Sequence, residues 1–328
     1  LYSDGTNMLE KGQYMIVHAS ANEYRNQLYH TKGVWYENKV KKVTLPDNPK
    51  RSLHYITGET ADKIEKAVVD DKTYDIGFFV SEDAIDELGR KTKKTDIQNI
   101  TTALVFNMKK DVLQNVNLRT GLISSIDMAS VTDEKHTNLV PSAYKLSGGK
   151  VDFISYNIEN ARKKMISAFE ELKLDNLTVN ILCTEEYEEM AKAIVSCWQA
   201  NIGVELNGTI TVAENDEYYS KIKTGEYSIV IYDLTVDSNK SAEFLSIFMS
   251  ENEKNIFGYA SEEYDRMVAD LKKNSTKEKV VACESHLLKN AVAIPVSYKS
   301  TILSVAKDTS GVYSAGDSAN IYFYKGQK

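Results

Sequence analysis

The side chains best placed for chemistry lie where an apolar strand ends in the second half of the chain. The mostly apolar run 229–234 continues into a loop that carries Asp237, and an apolar helix start follows at Phe244. In α/β proteins the carboxyl ends of strands open onto the ligand crevice, so the Asp237 carboxylate could bind a guest molecule there. It could also cap the helix that follows, because aspartate is a preferred N-cap residue.

Three further polar side chains are candidates for ligand contact. Tyr232 could stack on a guest or hydrogen-bond to it, or it could be a core tyrosine with a satisfied hydroxyl. Asn255 could reach the cleft, or it could only order its own loop through side-chain to backbone hydrogen bonds. Arg119 could clamp a carboxylate, but its place at a helix start favours a structural ion pair.

Patterns that accompany catalysis or cofactor binding are weak in this sequence. Adjacent acids such as Glu185-Glu186 and Glu262-Glu263 invite a glycosidase interpretation, yet they fall in first helical turns, where acids complement the helix dipole. No Gly-x-Ser-x-Gly, phosphate loop or dinucleotide fingerprint occurs. The 5 histidines and 3 cysteines show no metal-ligand spacing. We therefore predict no catalytic residues, no metal and no cofactor, and expect the protein not to be an enzyme.

Composition and charge restrict the partners. A chain of 328 residues with 42% hydrophobic residues can bury one large core or two ordinary ones. Its formal net charge of −7 leaves no basic excess for phosphate contacts, which predicts no nucleic-acid partner and no adhesion of the folded body to an anionic membrane. No apolar run approaches the length of a transmembrane helix, so a membrane could be engaged only through an anchor outside this chain.

Strands and helices alternate along the chain. A helix over 60–69 leads into a strand over 74–80, and a helix over 217–223 ends at Gly225 before a strand over 227–232. Amphipathic helices start at Asn157 and Ser261, both suitable caps, and a strand over 177–181 precedes a long helix that ends near Gly203. The alternation predicts an α/β fold with largely parallel sheets.

Two extended apolar segments predict where the chain passes between lobes. They cover 101–107 and 294–305. We therefore expect a discontinuous first lobe formed by residues 1–102 and 298–328, and a second lobe formed by residues 103–297.

Short segments spread over nearly the whole chain match, in the same order, the motifs of one protein family. They are Gly12-Gln13-Tyr14, Tyr74-Asp75-Ile76, Phe106-Asn107, 115–119, 122–127, 156–161, 225–229, 255–259, Glu263-Tyr264-Asp265 and 293–298. Each match alone is short, but their collinear order resembles the extracellular solute-binding proteins of peptide/nickel-type ABC transporters, family 5.

The resemblance implies a fold, a function and a location. The fold would be a two-lobed, periplasmic-binding-protein-like α/β fold of type II, with mixed sheets flanked by helices. The protein would capture a small solute, expected to be a short peptide, between its lobes and deliver it to the permease subunits of an ABC importer. It would lie outside the cytoplasm, in the periplasm or as a lipoprotein on the cell surface. A sensory or interaction module that kept the fold is the alternative, and a hydrolase is the third.

The resemblance also implies a role for Asp237, with departures around it. Asp237 aligns with an aspartate that often receives the ligand's amino group in this family. Ser238, Asn239, Lys240 and Ser241 replace the Tyr-Pro-Asp-Pro that follows in the family, and Leu234 stands where a tryptophan is common. The match begins partway along the family's length, so we expect the family's first sheet strands to be missing from this chain.

Overall fold

The computed structural model describes residues 97–132, 137–203, 205–214, 216–236 and 238–300 with their side chains, and outside them mainly the backbone of named strands. The chain divides into two compact units, residues 1–97 with 300–328, and residues 98–299. Both divisions fall within the long strands β8 (Thr92–Phe106) and β12 (Ala293–Ala306), in which the predicted lobe boundaries also lie. The assignment of these units as the lobes of a binding protein stays a prediction.

Antiparallel pairs make up the described part of the first unit. The strands β1, β2, β3 and β6 form one sheet in that order. The strand β7 pairs with residues 302–305 of β12, and β4–β5 and β13–β14 are separate pairs. The bounds are β1 Asn7–Met8, β2 Tyr14–Ile16, β3 Glu23–His30, β4 Val34–Tyr36, β5 Lys39–Lys42, β6 Arg51–Ile56, β7 Ile76–Phe79, β13 Ser310–Ser314 and β14 Ile321–Gln327. The predicted helix over 60–69 lies outside the described residues.

The second unit is built on the strands β10-β9-β11-β8-β12, in that order, of a six-stranded mixed sheet in which β7 is the sixth strand. Its remaining strands are β9 (Leu177–Cys183), β10 (Leu206–Val212) and β11 (Ile229–Leu234). The strand β9 runs parallel to both β10 and β11, whereas β11 runs antiparallel to β8. The expectation of largely parallel sheets was wrong, because among the described strands only those joined through helices pair in parallel. The carboxyl ends of β9, β10 and β11 therefore lie at one edge of the sheet, which is where ligands bind in open α/β sheets.

Helices of the second unit begin at the caps that the sequence predicts. Asn157 accepts a hydrogen bond from the Asn160 amide at 2.8 Å, and Ser261 accepts one from the Tyr264 amide at 3.2 Å. The bounds are α1 Val116–Ser124, α2 Ile158–Leu172, α3 Glu188–Asn201, α4 Asn215–Thr224, α5 Ser241–Leu245, α6 Glu262–Lys273 and α7 Lys277–Lys289. None of the helices in the described ranges is long and apolar enough to cross a membrane.

A close approach between α3 and β10 holds α3 against the sheet. Trp198 is fully buried, and its Nε1 donates to the Leu122 carbonyl at 3.1 Å. Gly208 allows the contact, because a Cβ there would lie 2.9 Å from Cγ1 of Val195, closer than real Cβ atoms come to other side chains. The start of α3, and with it the turn that follows β9, is thereby positioned by the core.

Arg119 is a buried structural residue, but it does not form the ion pair that the sequence suggests. Its guanidinium donates to the Leu113 carbonyl at 2.7 Å and to the Asn290 carbonyl at 2.8 and 3.0 Å. Within the described ranges no carboxylate lies within ion-pair distance of it. Burial lowers the pKa of Arg119 to about 10. The residue joins the turn before α1 to the turn after α7. The expectation of an ion pair was wrong, because the acceptors are backbone carbonyls and not a carboxylate.

Candidate functional site

A cavity of about 190 Å³ lies at the carboxyl ends of β9, β10 and β11. All of the residues that line it belong to the second unit, and four of these residues are tyrosines. The lining residues are Thr184, Glu186, Tyr187, Glu214, Tyr218, Tyr219, Ile231, Tyr232 and Asp233. A shallower depression lined by Thr184, Glu185, Glu186 and Glu214 adjoins it. Tyr232, one of the predicted site residues, is in this lining, and a ligand site at these strand ends stays a prediction.

Asp233 accepts hydrogen bonds through both of its carboxylate oxygens. Its Oδ1 accepts from the Thr102 hydroxyl at 2.6 Å and from the Tyr187 hydroxyl at 2.8 Å. Its Oδ2 accepts from Nζ of Lys299 at 3.0 Å. These partners come from β8, β12 and the turn after β9, so Asp233 joins three separate segments at the inner wall of the cavity.

Lys299 places a positive charge beside that wall. Its ammonium lies 2.8 Å from Glu186 and 3.0 Å from Asp233, and 4.7 Å from the centroid of the Tyr187 ring. Burial alone would lower the pKa of Lys299, but the hydrogen bond to Glu186 and the charge of Asp233 outweigh it and raise the pKa above the ordinary lysine value. Lys299 is therefore a charged cation that two carboxylates and an aromatic face hold together.

The tyrosines of α4 and β11 form the aromatic wall. The buried Tyr218 donates its hydroxyl to the Ile231 carbonyl at 2.7 Å, and the exposed Tyr219 packs edge-on against its ring at 5.3 Å. Tyr232 packs edge-on against Phe257 at 5.4 Å. Burial raises the pKa of both Tyr218 and Tyr232 above the ordinary tyrosine value, so these hydroxyls are neutral at physiological pH.

The structure places Tyr232 and Asn255 in different surroundings. Tyr232 is half-buried and lines the cavity, so its ligand contact stays a prediction that this position permits. Asn255 is outside the set of residues that line the cavity. Its Nδ2 donates to the carbonyls of Met249 and Tyr259 at 3.0 and 2.6 Å, and its Oδ1 accepts from the Tyr259 amide at 3.3 Å. These bonds order the loop 249–259, and a ligand contact by Asn255 likewise stays a prediction.

Asp237 lies outside the described residues, but the segments on either side of it are held in place. The Val236 amide donates to the Tyr144 hydroxyl at 3.2 Å, and the Asn239 carbonyl accepts from the Lys145 amide at 2.8 Å. Ser241 donates its hydroxyl to the Lys145 carbonyl. The adjacent residues 144 and 145 thus hold both ends of the loop 235–240, which lacks the prolines of the family motif.

Sequence reasoning missed several residues of this site. By its spacing, Tyr187 continues the apolar face of α3, so the pattern indicates a packing residue and does not indicate a role for its hydroxyl. Asp233 and Lys299 are 66 residues apart, and only the sheet brings them together. The adjacent pair Tyr218-Tyr219, in the helix that precedes a buried strand, is the one local signal that could have indicated an aromatic wall. In the described ranges no group of three or more His, Cys, Asp or Glu side chains is placed to hold a metal ion.

Comparison with known proteins identifies the class to which this fold and site belong. Residues 4–255 match the family described as bacterial extracellular solute-binding proteins, family 5 Middle, and the chain belongs to this family. The resemblance predicted from the short motifs is therefore confirmed.

Among individual relatives, the periplasmic oligopeptide-binding protein OppA of Haemophilus influenzae is 28% identical over 188 residues, which cover 52% of this chain and 34% of OppA. OppA of Salmonella typhimurium is 23% identical over 209 residues, which cover 61% of this chain and 36% of that protein. The chain thus matches about a third of the length of these relatives.

Solved structures show the same fold. A dipeptide-binding protein from Pseudoalteromonas sp. SM9913 in complex with Met-Leu aligns with a TM-score of 0.66 at 16% identity, covering 97% of this chain and 64% of that one. Haemophilus influenzae OppA in complex with the peptide RPPGFSPFR aligns with a TM-score of 0.61 at 20% identity, covering 95% and 64%. The predicted periplasmic-binding-protein-like α/β fold with mixed sheets and flanking helices is confirmed.

Proposed function

We propose that this protein is the peptide-binding component of an ABC importer, acting outside the cytoplasm and delivering its ligand to permease subunits. The observation that supports this most directly is the tyrosine-lined cavity at the ends of three parallel strands in a member of a solute-binding family. The names of the relatives, which are oligopeptide- and dipeptide-binding proteins, favour a peptide as the solute. The two compact units would be the lobes that close on it, with any lipid anchor outside this chain.

The chemistry of the cavity favours binding without reaction. The Asp233 carboxylate accepts its hydrogen bonds from Thr102, Tyr187 and Lys299. Burial raises the pKa of Tyr187, so its hydroxyl is a poor base and a poor nucleophile at neutral pH. Hydroxyls and aromatic faces that stay neutral are well suited to hold a peptide by hydrogen bonds and stacking.

A thermal-shift screen tests this function. We expect a set of short peptides to raise the melting temperature of the protein, because a ligand that binds only the folded state stabilises it. Sugars and nickel ions serve as the competing solutes of the same screen. Mass spectrometry of the peptide after incubation should return it intact. A rise in melting temperature with sugars or nickel and none with peptides would overturn the proposal, and cleaved peptide would favour a hydrolase.

Asp237 provides a more specific test of peptide capture. If its carboxylate receives the ligand ammonium, Asp237→Asn should weaken a free-amine peptide by about 1.5–3 kcal/mol, which is roughly tenfold to over a hundredfold in Kd. The N-acetylated form of the same peptide has no ammonium and should hardly respond. Calorimetric titration of both peptides measures the difference. Equal losses for both would mean that Asp237 shapes its loop without binding the amine.

A further inference from the structure

The cavity carries more negative than positive charge. Glu186, Glu214 and Asp233 line it, and Lys299 is the cation that pairs with two of these three carboxylates. Glu214 is the exception, since no Lys or Arg within the described ranges lies within ion-pair distance of it. Its Oε1 accepts from the Glu185 amide at 2.5 Å. The exposed Glu214 carboxylate therefore stands in the wall of an aromatic cavity without a cationic partner among the described residues.

Resting on the proposed function, we propose that this cavity binds a basic side chain of the peptide, a lysine or an arginine. Tyrosine faces attract cations and also pack against the apolar stem of such a side chain. Carboxylates form charge-assisted hydrogen bonds with its charged end. A cation would bring to Glu214 the opposite charge that the described residues do not supply.

The size of the cavity suits one side chain and not a whole ligand. Its 190 Å³ is below the roughly 300–1,000 Å³ of sites that enclose a drug-sized molecule. The cavity would therefore act as one specificity pocket along a longer peptide. The aromatic wall of Tyr218, Tyr219 and Tyr232 would face the methylene groups, while Glu214 would bind the charged end.

Lys299 shows within the same structure how a cation is held here. Its ammonium contacts Glu186 and Asp233 and lies over the face of Tyr187. A second carboxylate and a second tyrosine, Glu214 and Tyr218, line the same cavity. The surroundings that keep Lys299 charged would favour a second ammonium or guanidinium as well.

Matched peptides and one substitution test the pocket. Each of the tripeptides Lys-Ala-Ala, Ala-Lys-Ala and Ala-Ala-Lys is compared with its norleucine counterpart, which keeps the apolar stem and lacks the charge. At least one lysine peptide should bind about tenfold more tightly than its counterpart. Glu214→Gln should remove that preference and leave the norleucine peptide unchanged. Glu217 lies in the first turn of α4, just after Glu214, and has Lys221 as its partner at 3.5 Å. Glu217→Gln is the matched control and should keep the preference.

The outcomes separate this inference from the proposed function. If the tripeptides bind but lysine and norleucine bind equally at every position, the basic pocket is overturned while peptide binding stands. If a lysine preference survives Glu214→Gln, the basic side chain binds elsewhere and the assignment to this cavity is overturned. If none of the tripeptides binds, and longer peptides also fail in the thermal-shift screen, peptide binding itself is overturned.

Discussion

Glu284→Gln should stabilise the protein at pH 8 by about 3 kcal/mol and leave its stability at pH 4 almost unchanged. Glu284 lies in α7 and is completely buried. Its Oε1 accepts from the Val140 amide at 2.8 Å, while its Oε2 is buried with no hydrogen-bond partner in the described part of the chain. Burial raises the pKa of this carboxyl from 4.5 to about 7, even though backbone and side-chain hydrogen bonds oppose the shift.

The direction of the effect follows from proton linkage. The folded protein holds the Glu284 proton more tightly than the unfolded chain, so the unfolded chain loses its proton first as the pH rises above 4.5. The free energy of unfolding therefore falls between pH 4.5 and about 7, and the full penalty applies above that range. Glutamine has a similar shape and stays neutral, so the variant escapes the penalty. Burial lowers the pKa of His286, which acts in the opposite direction and cancels in the difference between variant and parent.

Urea unfolding at a series of pH values measures this difference. The parent and Glu284→Gln should have similar free energies of unfolding at pH 4, diverge between pH 4.5 and about 7, and differ by a constant amount above that range. Glu253→Gln, which alters an exposed carboxylate of the same unit, is the control and should not diverge in this way. Parallel profiles for the parent and Glu284→Gln would show that folding does not raise the pKa of this carboxyl.

Glu284 also bears on the site through the segment that it holds. Beside its bond to Val140, the Thr101 hydroxyl donates to the Leu139 carbonyl at 2.8 Å and the Tyr298 hydroxyl donates to the Asn138 carbonyl at 2.5 Å. The segment 138–140 is therefore fixed to β8, α7 and β12. Tyr144 and Lys145, which hold the loop 235–240, follow this segment a few residues later in the chain.

Local signals predicted the elements, because caps and periodicity act over a few residues. Asn157 and Ser261 start helices as expected, and Gly225 ends α4 with a φ of 77°, a conformation that glycine adopts without strain. The strand predicted over 177–181 forms the start of β9. Signals of this kind were enough to predict the α/β class and the strands β9 and β11, whereas β10, the third strand at whose end the cavity lies, was not predicted.

Contacts between distant segments could not be predicted in the same way. Arg119 has the spacing of an ion-pair residue, yet its acceptors are carbonyls, one of which belongs to Asn290, 171 residues away. Asp233 was counted as part of an apolar strand, and its partners on β8 and β12 depend on strand order. Tertiary packing determines the hydrogen-bond partners of buried polar groups, and sequence periodicity does not indicate them.

Tyr144→Ala should destabilise the second unit by about 3–5 kcal/mol, as truncation of large buried aromatic residues does. Tyr144 is 3% exposed, and its ring packs edge-on against Phe244 at 5.0 Å. Its hydroxyl donates to the Asn99 carbonyl at 3.0 Å and accepts from the Val236 amide at 3.2 Å. Tyr144→Phe keeps the ring and removes the hydrogen bonds of the hydroxyl, which include a longer one to the Val236 carbonyl at 3.4 Å, so it should account for about 1–3 kcal/mol of the loss.

The phenylalanine variant also shows whether this hydroxyl orders the loop that carries Asp237. Without it the Val236 amide loses its acceptor, so its hydrogen exchange should become faster, whereas exchange in the core strand β9 should not change beyond the global loss of stability. Tyr156→Phe removes an exposed hydroxyl and is the matched control. If Asp237 binds the ligand ammonium, a looser loop should also weaken free-amine peptides, because ordering it then costs free energy on binding. Unchanged exchange at Val236 in Tyr144→Phe would mean that Lys145 and Ser241 hold the loop without help from Tyr144.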